Sequence, residues 1–458
     1  MSLARFRTLS LRPLAVGVAL AAASMLAQAQ NLQQLYEAAR GYDATYLAVL
    51  AQTEAAQSRL AQSGALRLPV ATLGASATRS GNDAPDITLP DGSVNPARVY
   101  GNVNQAAINA RQPLYNKANE ETISQAEKAY EIATADLVAA EQDLIVRLAQ
   151  AYFDVLAAED NLSTIRANKK AVTEALASAQ RNFEVGTATI TDTREAQSRF
   201  DLVSAQEIAA LNDLATRRAA LDTLVGRSNV APKPFARPIV IPPLVRNNVD
   251  DWLMHADADS PTLRKARLAY EIAQLETDKA KAGHLPTLDI VGSLSTNHNS
   301  GISGAGTGTG TLPGLYKNGS IGIQLNLPLF AGFAVQNRVK ETLSLTEKAR
   351  NDLDGARRSV ALGTRQAFFG VESGRALVKA LEAAESSSKL ALEATEVGYK
   401  VGVRVALDVL NAQTTLYTTR RDLDKARYDL VLTSFRLYQA SGQLKPDNVA
   451  AVNHLLEP

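Results

Sequence analysis

The 458-residue chain has no cysteine, one tryptophan, three methionines and four histidines, and aromatics make up only 5% of it. Without cysteine there is no disulfide framework, no thiolate nucleophile and no cysteine after the signal segment to carry a lipid. So few aromatic rings cannot fill a large globular core, which leaves helices packed closely side by side through small residues. The 48 basic and 47 acidic residues nearly cancel, so nothing electrostatic favours nucleic acid. Beyond Ala29 no stretch approaches the ~18 apolar residues of a membrane helix. If the folded chain enters a membrane, it does so with strands.

Recognisable catalytic chemistry is also missing. His255, His284, His298 and His454 are scattered without metal-ligand spacing. The run Gly304-Ala305-Gly306-Thr307-Gly308-Thr309-Gly310 lacks the Gly-Lys-Ser/Thr ending of a phosphate loop and reads as an external loop. No nucleophile motif or acid/base pair stands out. The sequence reads as non-enzymatic, with no cofactor and no metal.

What is present begins with an export signal at 1–29. Arg5, Arg7 and Arg12 flank the apolar run Leu14 to Leu26, and Ala27-Gln28-Ala29 supplies a small-residue cleavage site. After it, the same stretch occurs twice, 216 residues apart. Ala151-Tyr152-Phe153-Asp154-Val155 matches Ala367-Phe368-Phe369-Gly370-Val371, Val185-Gly186 matches Val401-Gly402, Thr191-Asp192 matches Leu407-Asp408, and Gly226 matches Gly442. The copies fall in a first repeat at 30–244 and a second at 245–445, followed by a tail at 446–458. A duplicated unit of strands and very long helices is incompatible with most enzyme folds and predicts a two-fold pseudo-symmetric architecture.

Residues 32–66 read as a short helix and a longer one, broken near Gly41. Strands are expected at 69–80 and 98–112, joined by a loop rich in turn residues. From Asn116 to Glu184 no proline or glycine occurs, which predicts one helix of roughly 100 Å at 1.5 Å per residue. A return helix runs from the Val185-Gly186 turn to Gly226, and 227–244 is a proline-rich linker containing Pro232, Pro234, Pro238, Pro242 and Pro243. The second repeat predicts a helix near 260–282, strands at 286–298 and 319–330, and a long helix from Ala334 to Lys400. Gly355, Gly363, Gly370 and Gly374 are its weak points. The return helix at 405–441 carries a seam of Val409, Leu416, Leu423, Leu430 and Leu437, with Ala412, Thr419, Ala426, Thr433 and Ala440 on the next rung.

The strands bear on the compartment. Ile321, Ile323, Leu325, Leu327 and Leu329 alternate with Gly322, Gln324 and Asn326. Leu288, Ile290 and Leu294 alternate more weakly with Asp289, Val291 and Ser293. Tyr100, Tyr115, Tyr316, Phe330 and Phe333 sit at strand ends, where interfacial aromatics belong. A soluble sheet covered by helix remains the other reading of this pattern. Four strands cannot close a barrel, and open edges in lipid cost several kcal/mol per unpaired backbone group. A membrane reading therefore requires several chains to share one barrel. Two chains would give eight strands, too narrow for a conduit, and three would give twelve.

These features together resemble the TolC family of outer-membrane channel proteins, the exit ducts of tripartite efflux pumps and type I secretion systems. The resemblance covers nearly all of the chain after the signal. Its most specific part is Gly398-Tyr399-Lys400-Val401-Gly402-Val403-Arg404-Val405-Ala406-Leu407-Asp408-Val409-Leu410-Asn411-Ala412, echoed by Val185-Gly186-Thr187-Ala188-Thr189-Ile190-Thr191-Asp192. It implies an α+β membrane protein: a homotrimeric twelve-stranded β-barrel, four strands per chain, continued by a long α-helical coiled-coil tunnel across the periplasm. The implied partners are outer-membrane lipid, a periplasmic adaptor and an inner-membrane transporter, ABC-type or proton-driven, with no nucleic acid.

The resemblance also assigns residues. Asp408 would face the axis where the tunnel narrows, three copies forming a carboxylate ring that favours cations. Many relatives place a second Asp one turn later, where this chain has Asn411, so three ring carboxylates are expected rather than six. Tyr399 matches a tyrosine that bonds an aspartate of the first copy, here Asp192, and Arg404 an arginine that reaches a threonine, here Thr191. Val185, Gly186, Val401 and Gly402 match the tips that meet the adaptor. The alternative from another class is a soluble periplasmic coiled-coil adaptor or structural rod.

Overall fold

A computed structural model describes residues 30–83, 87–88, 90–95, 98–236, 244, 246–300 and 314–456. The expected signal segment, Pro238, Pro242 and Pro243 of the linker, and the Gly304–Gly310 run lie outside these residues, as does the side chain of Tyr100. The described chain divides into two units. One comprises the residues up to Ala51 with Ala135–Arg264 and Ala356 onward, the other Gln52–Thr134 with Lys265–Gly355.

Nine α-helices are present among the described residues: α1 (Leu32–Arg40), α2 (Ala44–Gly64), α3 (Lys117–Glu184), α4 (Ile190–Val225), α5 (Val249–Asp259), α6 (Pro261–Lys281), α7 (Ala334–Lys400), α8 (Ala406–Ala440) and α9 (Pro446–Asn453). The strands are β1 (Val70–Asp83), β2 (Ile87–Thr88), β3 (Val94–Asn95), β4 (Arg98–Tyr115), β5 (Thr287–Asn299) and β6 (Gly314–Asn326). No described helix is long and apolar enough to cross a membrane.

The second unit holds an antiparallel sheet in the order β1-β4-β5-β6. The hinge of the order is the β4–β5 pair, which joins a strand of the first repeat to a strand of the second, with Ile108 opposite Leu294. Cross-strand register places Leu73, Ile108, Leu294, Ile321, Ile323 and Leu325 on one face. These side chains are exposed, Ile321 to 83%. The opposite face carries Thr72, Asn109, Arg111, Asp289, Ser293 and Gln324, where Arg111 pairs with Asp289 at 2.7 Å and Ser293 donates to Asn109 at 3.0 Å. Among the described residues of this unit, the apolar face stays open to solvent.

The helices of this unit pack through small residues, as their alanine and threonine content demands. Thr277 Oγ1 lies 3.0 Å from Thr346 Oγ1, which also donates to the Ala273 carbonyl at 3.0 Å. Thr53 donates to the Ala133 carbonyl at 3.2 Å. Hydroxyls that bond a neighbouring backbone let two helices approach without leaving a buried polar group unpaired.

The first unit contains the main core. Leu32, Leu35 and Tyr36 of α1 meet Leu144, Ile145, Leu148, Tyr152 and Leu156 of α3, with Phe153, Phe235 and Tyr428 stacked at centroid distances of 5.2–5.9 Å. Among the described residues, the buried aromatics other than Trp252 and Phe368 lie in this core. The start of the linker is ordered, because Gln30 bridges Pro232 and Phe235 bridges Leu456. The expected tail is likewise built into the unit: Pro446 opens α9, and Val449 and Leu456 join the core.

The helix expected near 260–282 is α6, opened by Pro261 at the first helical position; α5 precedes it and was not expected. Three expectations need correction. None of Gly355, Gly363, Gly370 or Gly374 interrupts α7. At Gly370 and Gly374 a Cβ would come within 3.1 Å of Thr433 and 3.2 Å of Leu430, so these two glycines let α7 and α8 close together. The α8 seam holds from Leu416 to Leu437, but at the tip Leu410 is buried and Val409 is not. A seven-residue repeat drifts by about 20° per heptad on a straight helix, enough over four heptads to move the buried stripe by one position. Lastly, β6 ends at Asn326 rather than 330. Leu327, Leu329 and Phe330 lie exposed beyond it, and Phe330 meets Phe333 edge-on at 5.6 Å.

Candidate functional site at the helical hairpin tips

Each long helix turns back through the same backbone frame. After α3, the amides of Val185, Gly186, Thr187 and Ala188 donate to the carbonyls of Arg181, Phe183, Asn182 and Asn182, at 2.8–3.2 Å. After α7, Val401, Gly402, Val403 and Arg404 donate to Val397, Tyr399, Gly398 and Gly398 at 2.9–3.2 Å. Gly186 and Gly402 hold φ at +78° and +80°, the left-handed conformation that glycine adopts without cost. Around them Val185, Val401, Val403 and Val405 project into solvent, Val403 to 76%. Four exposed valines at two turn tips lack the burial that would justify them in a lone chain.

The return helices begin differently. Thr189 caps α4 by a reciprocal exchange: its hydroxyl accepts from the Asp192 amide at 3.2 Å, while Asp192 Oδ2 accepts from the Thr189 amide at 2.9 Å and from its hydroxyl at 2.8 Å. The equivalent of Thr189 is Val405, which has no hydroxyl. Asp408 Oδ2 therefore accepts only a longer bond from the Val405 amide, 3.4 Å, with Arg404 Nη1 at 3.6 Å. One aspartate is locked to its own helix start, and the duplicate aspartate is held loosely beside an arginine.

Within the chain, then, Asp192 is brought to Thr189 and Arg404 to Asp408. The single chain does not bring Tyr399 to Asp192, or Arg404 to Thr191. Asn411 turns to the other hairpin, its Oδ1 accepting from Arg199 Nη2 of α4 at 2.7 Å. Next to it, Leu410 is buried with Val172 and Val203. Sequence reading missed Arg199, whose only signal was its being a cation about three turns beyond the Thr189 cap of α4. Gly398 is also part of the turn: a Cβ there would lie 2.8 Å from Arg404 Cγ, so glycine leaves the room in which that arginine lies.

Further up the first unit, polar groups line a groove of about 360 Å³ between α3, α4 and α8, including Asn161, Asn168, Gln206, Asp213, Tyr417 and Arg421. Ion pairs tie the two helices of each hairpin: Glu207 takes Lys169 at 2.9 Å and Arg166 at 3.1 Å, which hold its carboxyl below the usual range, and Arg420 meets Glu385 at 2.8 Å. Among the described residues no three His, Asp or Glu side chains are grouped as a metal site would require.

This geometry can be set beside known proteins. Residues 35–227 and 252–443 each match the family described as outer membrane efflux protein, so the two repeats are two copies of one family unit. The chain is 33% identical over 448 residues to the outer membrane protein TolC of Vibrio cholerae, covering 97% of this chain and 98% of that one. It is 33% identical over 307 residues to the alkaline protease secretion protein AprF of Pseudomonas aeruginosa, covering 66% and 62% of the two chains. The crystal structure of the outer membrane protein VceC from Vibrio cholerae superposes with a TM-score of 0.71 at 20% identity, covering 90% of this chain and 96% of that chain. Long antiparallel hairpins, four antiparallel strands and a duplicated family unit spanning most of the sequence lead to one assignment: the chain belongs to the outer membrane efflux protein family.

Proposed function

We propose that three copies of this outer-membrane exit channel assemble into one conduit, a twelve-stranded barrel in lipid continued by helical hairpins in the periplasm. Export would follow cleavage after Ala29. The observation that carries the reading is the sheet: one face is apolar and uncovered, the other polar, and β1 and β6 are edges. In lipid, edges must be paired, and three chains placed β6 against β1 close a barrel wide enough for a pore. The relatives named for TolC and for alkaline protease secretion support a role in efflux or type I secretion, where an inner-membrane transporter and a periplasmic adaptor would hand over the cargo.

The hairpin tips are the aperture in this reading. Three Asp408 carboxylates converge on the axis and draw cations, with Asn411 one turn deeper and adding no charge. In the resting assembly Tyr399 and Arg404 bond Asp192 and Thr191 of adjoining hairpins, a few bonds of about 1 kcal/mol each that hold a bistable opening. The exposed Val185, Gly186, Val401 and Gly402 offer the adaptor small apolar tips.

Purified protein in a planar bilayer tests this. Stepwise single-channel conductance is expected, and Tyr399→Phe with Arg404→Ser should raise it. Unchanged conductance in the double variant would sink the gate assignment. A monomer released by osmotic shock without detergent would favour the soluble periplasmic adaptor instead.

A further inference from the structure

Among the described residues, the two hairpins of one chain meet near the tips at Leu410 and Asn411. Leu410 of α8, 3% exposed, is buried with Val172 of α3 and Val203 of α4. Immediately beside it Asn411 accepts the 2.7 Å bond from Arg199 of α4. Tipward of this point, Tyr399, Val401, Val403 and Val405 are all exposed, and the polar contacts of Arg404 and Asp408 stay within their own turn. One turn above, Gln413 is buried with its Oε1 unpartnered, and Asn168 of α3 is buried in the same state. The Leu410–Asn411 contact is therefore the last point at which the second hairpin is fastened to the first. Just above it these two unsatisfied amides weaken the seam, before the apolar core around Phe153 and Tyr428 takes over.

We propose that Arg199 and Asn411 form a latch within each chain. The bond holds the start of α8 against the first hairpin and must break for the second hairpin to swing outward. Leu410 is its apolar pin. The inference rests on reading the hairpin tips as the aperture. It gives Asn411 a positioning role: its amide oxygen faces Arg199 rather than standing free as a pore ligand. A bond donated by a charged guanidinium shifts a closed-to-open ratio by roughly tenfold. Three chains opening together multiply that bias.

Single-channel recordings of five trimers test the latch: wild type, Arg199→Ala, Asn411→Ala, the Arg199→Ala/Asn411→Ala pair, and the Tyr399→Phe/Arg404→Ser pair. Each single latch variant is expected to raise mean conductance at least about two-fold, and the latch pair no further than either single, because both remove one bond. Asn411→Asp keeps the acceptor and gives the bond a second charge, so it should conduct at or below the wild-type level. Wild-type conductance in Arg199→Ala beside a raised Tyr399→Phe/Arg404→Ser would overturn the latch and leave the gate standing. Wild-type values in all variants would overturn both. Additive effects of the two latch substitutions would show that they act separately, which also overturns the pairing. Should Arg199→Ala fail to give a heat-modifiable trimer, Asn411→Leu removes the acceptor at similar volume and carries the same test.

Discussion

Asp43 shows how much one side chain fixes in the first unit. It caps α2 by accepting the Tyr46 amide at 2.8 Å and takes two nitrogens of Arg147 at 3.0 Å each. Arg147 chiefly holds this carboxyl below the ordinary carboxylate range, helped by the Tyr46 amide and opposed by burial. The folded-state pKa is thus depressed. Its stabilisation is present above the unfolded value of about 3.9 and is lost as pH falls through the lower folded value. Asp43→Asn should cost roughly 2 kcal/mol at neutral pH, since it weakens two charge-assisted bonds while Arg147 keeps Asp143 at 2.6 Å. Melting followed by circular dichroism in detergent should show wild type converging on the variant as pH falls below about 4. Equal acid sensitivity of the two proteins would refute this. None of the pairing was legible beforehand: Asp43 and Arg147 are far apart in sequence, and only the docking of α1 and α2 on α3 brings them together. The loss of a capping hydroxyl at Val405 relative to Thr189 could have been read from the repeat, because capping is a local matter.

At the scale of elements, the duplication is written into the backbone. Gly186, Gly226, Gly402 and Gly442 all have φ between +72° and +80°, at matched positions of the two repeats. Their surroundings differ. A Cβ at Gly186 meets open space, whereas at Gly442 it would lie 2.5 Å from the Asp259 backbone. Gly186→Ala is therefore expected to cost only about 1 kcal/mol for left-handed backbone. Gly442→Ala adds a clash that no side-chain rotation relieves and should cost roughly 3 kcal/mol or more. Thermal unfolding of the two variants checks the ranking, and equal losses would contradict it. The long helices α3 and α7 could be anticipated because proline and an interrupting turn are absent over their length. Helices α5 and α9 could not, since each is short and owes its place to the core, Trp252 and Val449 being buried only once the chain has folded.

For the molecule as a whole, the decisive surface is the apolar face of the sheet. Ile323→Arg, on that face, should cost about 2–4 kcal/mol in the bilayer and deplete heat-modifiable trimer from the outer-membrane fraction. Gln324→Arg, its neighbour on the polar face, should assemble normally. Loss of both trimers, or of neither, would count against a lipid-facing Ile323.

The sequence by itself determined the repeat, the long helices, the alternating strands, the glycine turns and, through their combination, the family. All of these depend on spacing within a few residues or on self-similarity, which the chain carries before it folds. Tertiary structure decided which strands are neighbours, joining the two repeats at β4 and β5 into one sheet. It decided that Leu410 and not Val409 is buried at the tip of α8. It also decided that Asn411, equivalent to Glu195 in the first repeat, faces Arg199. Those outcomes depend on how helices and strands far apart in sequence pack, and a local pattern leaves that rotation and register open.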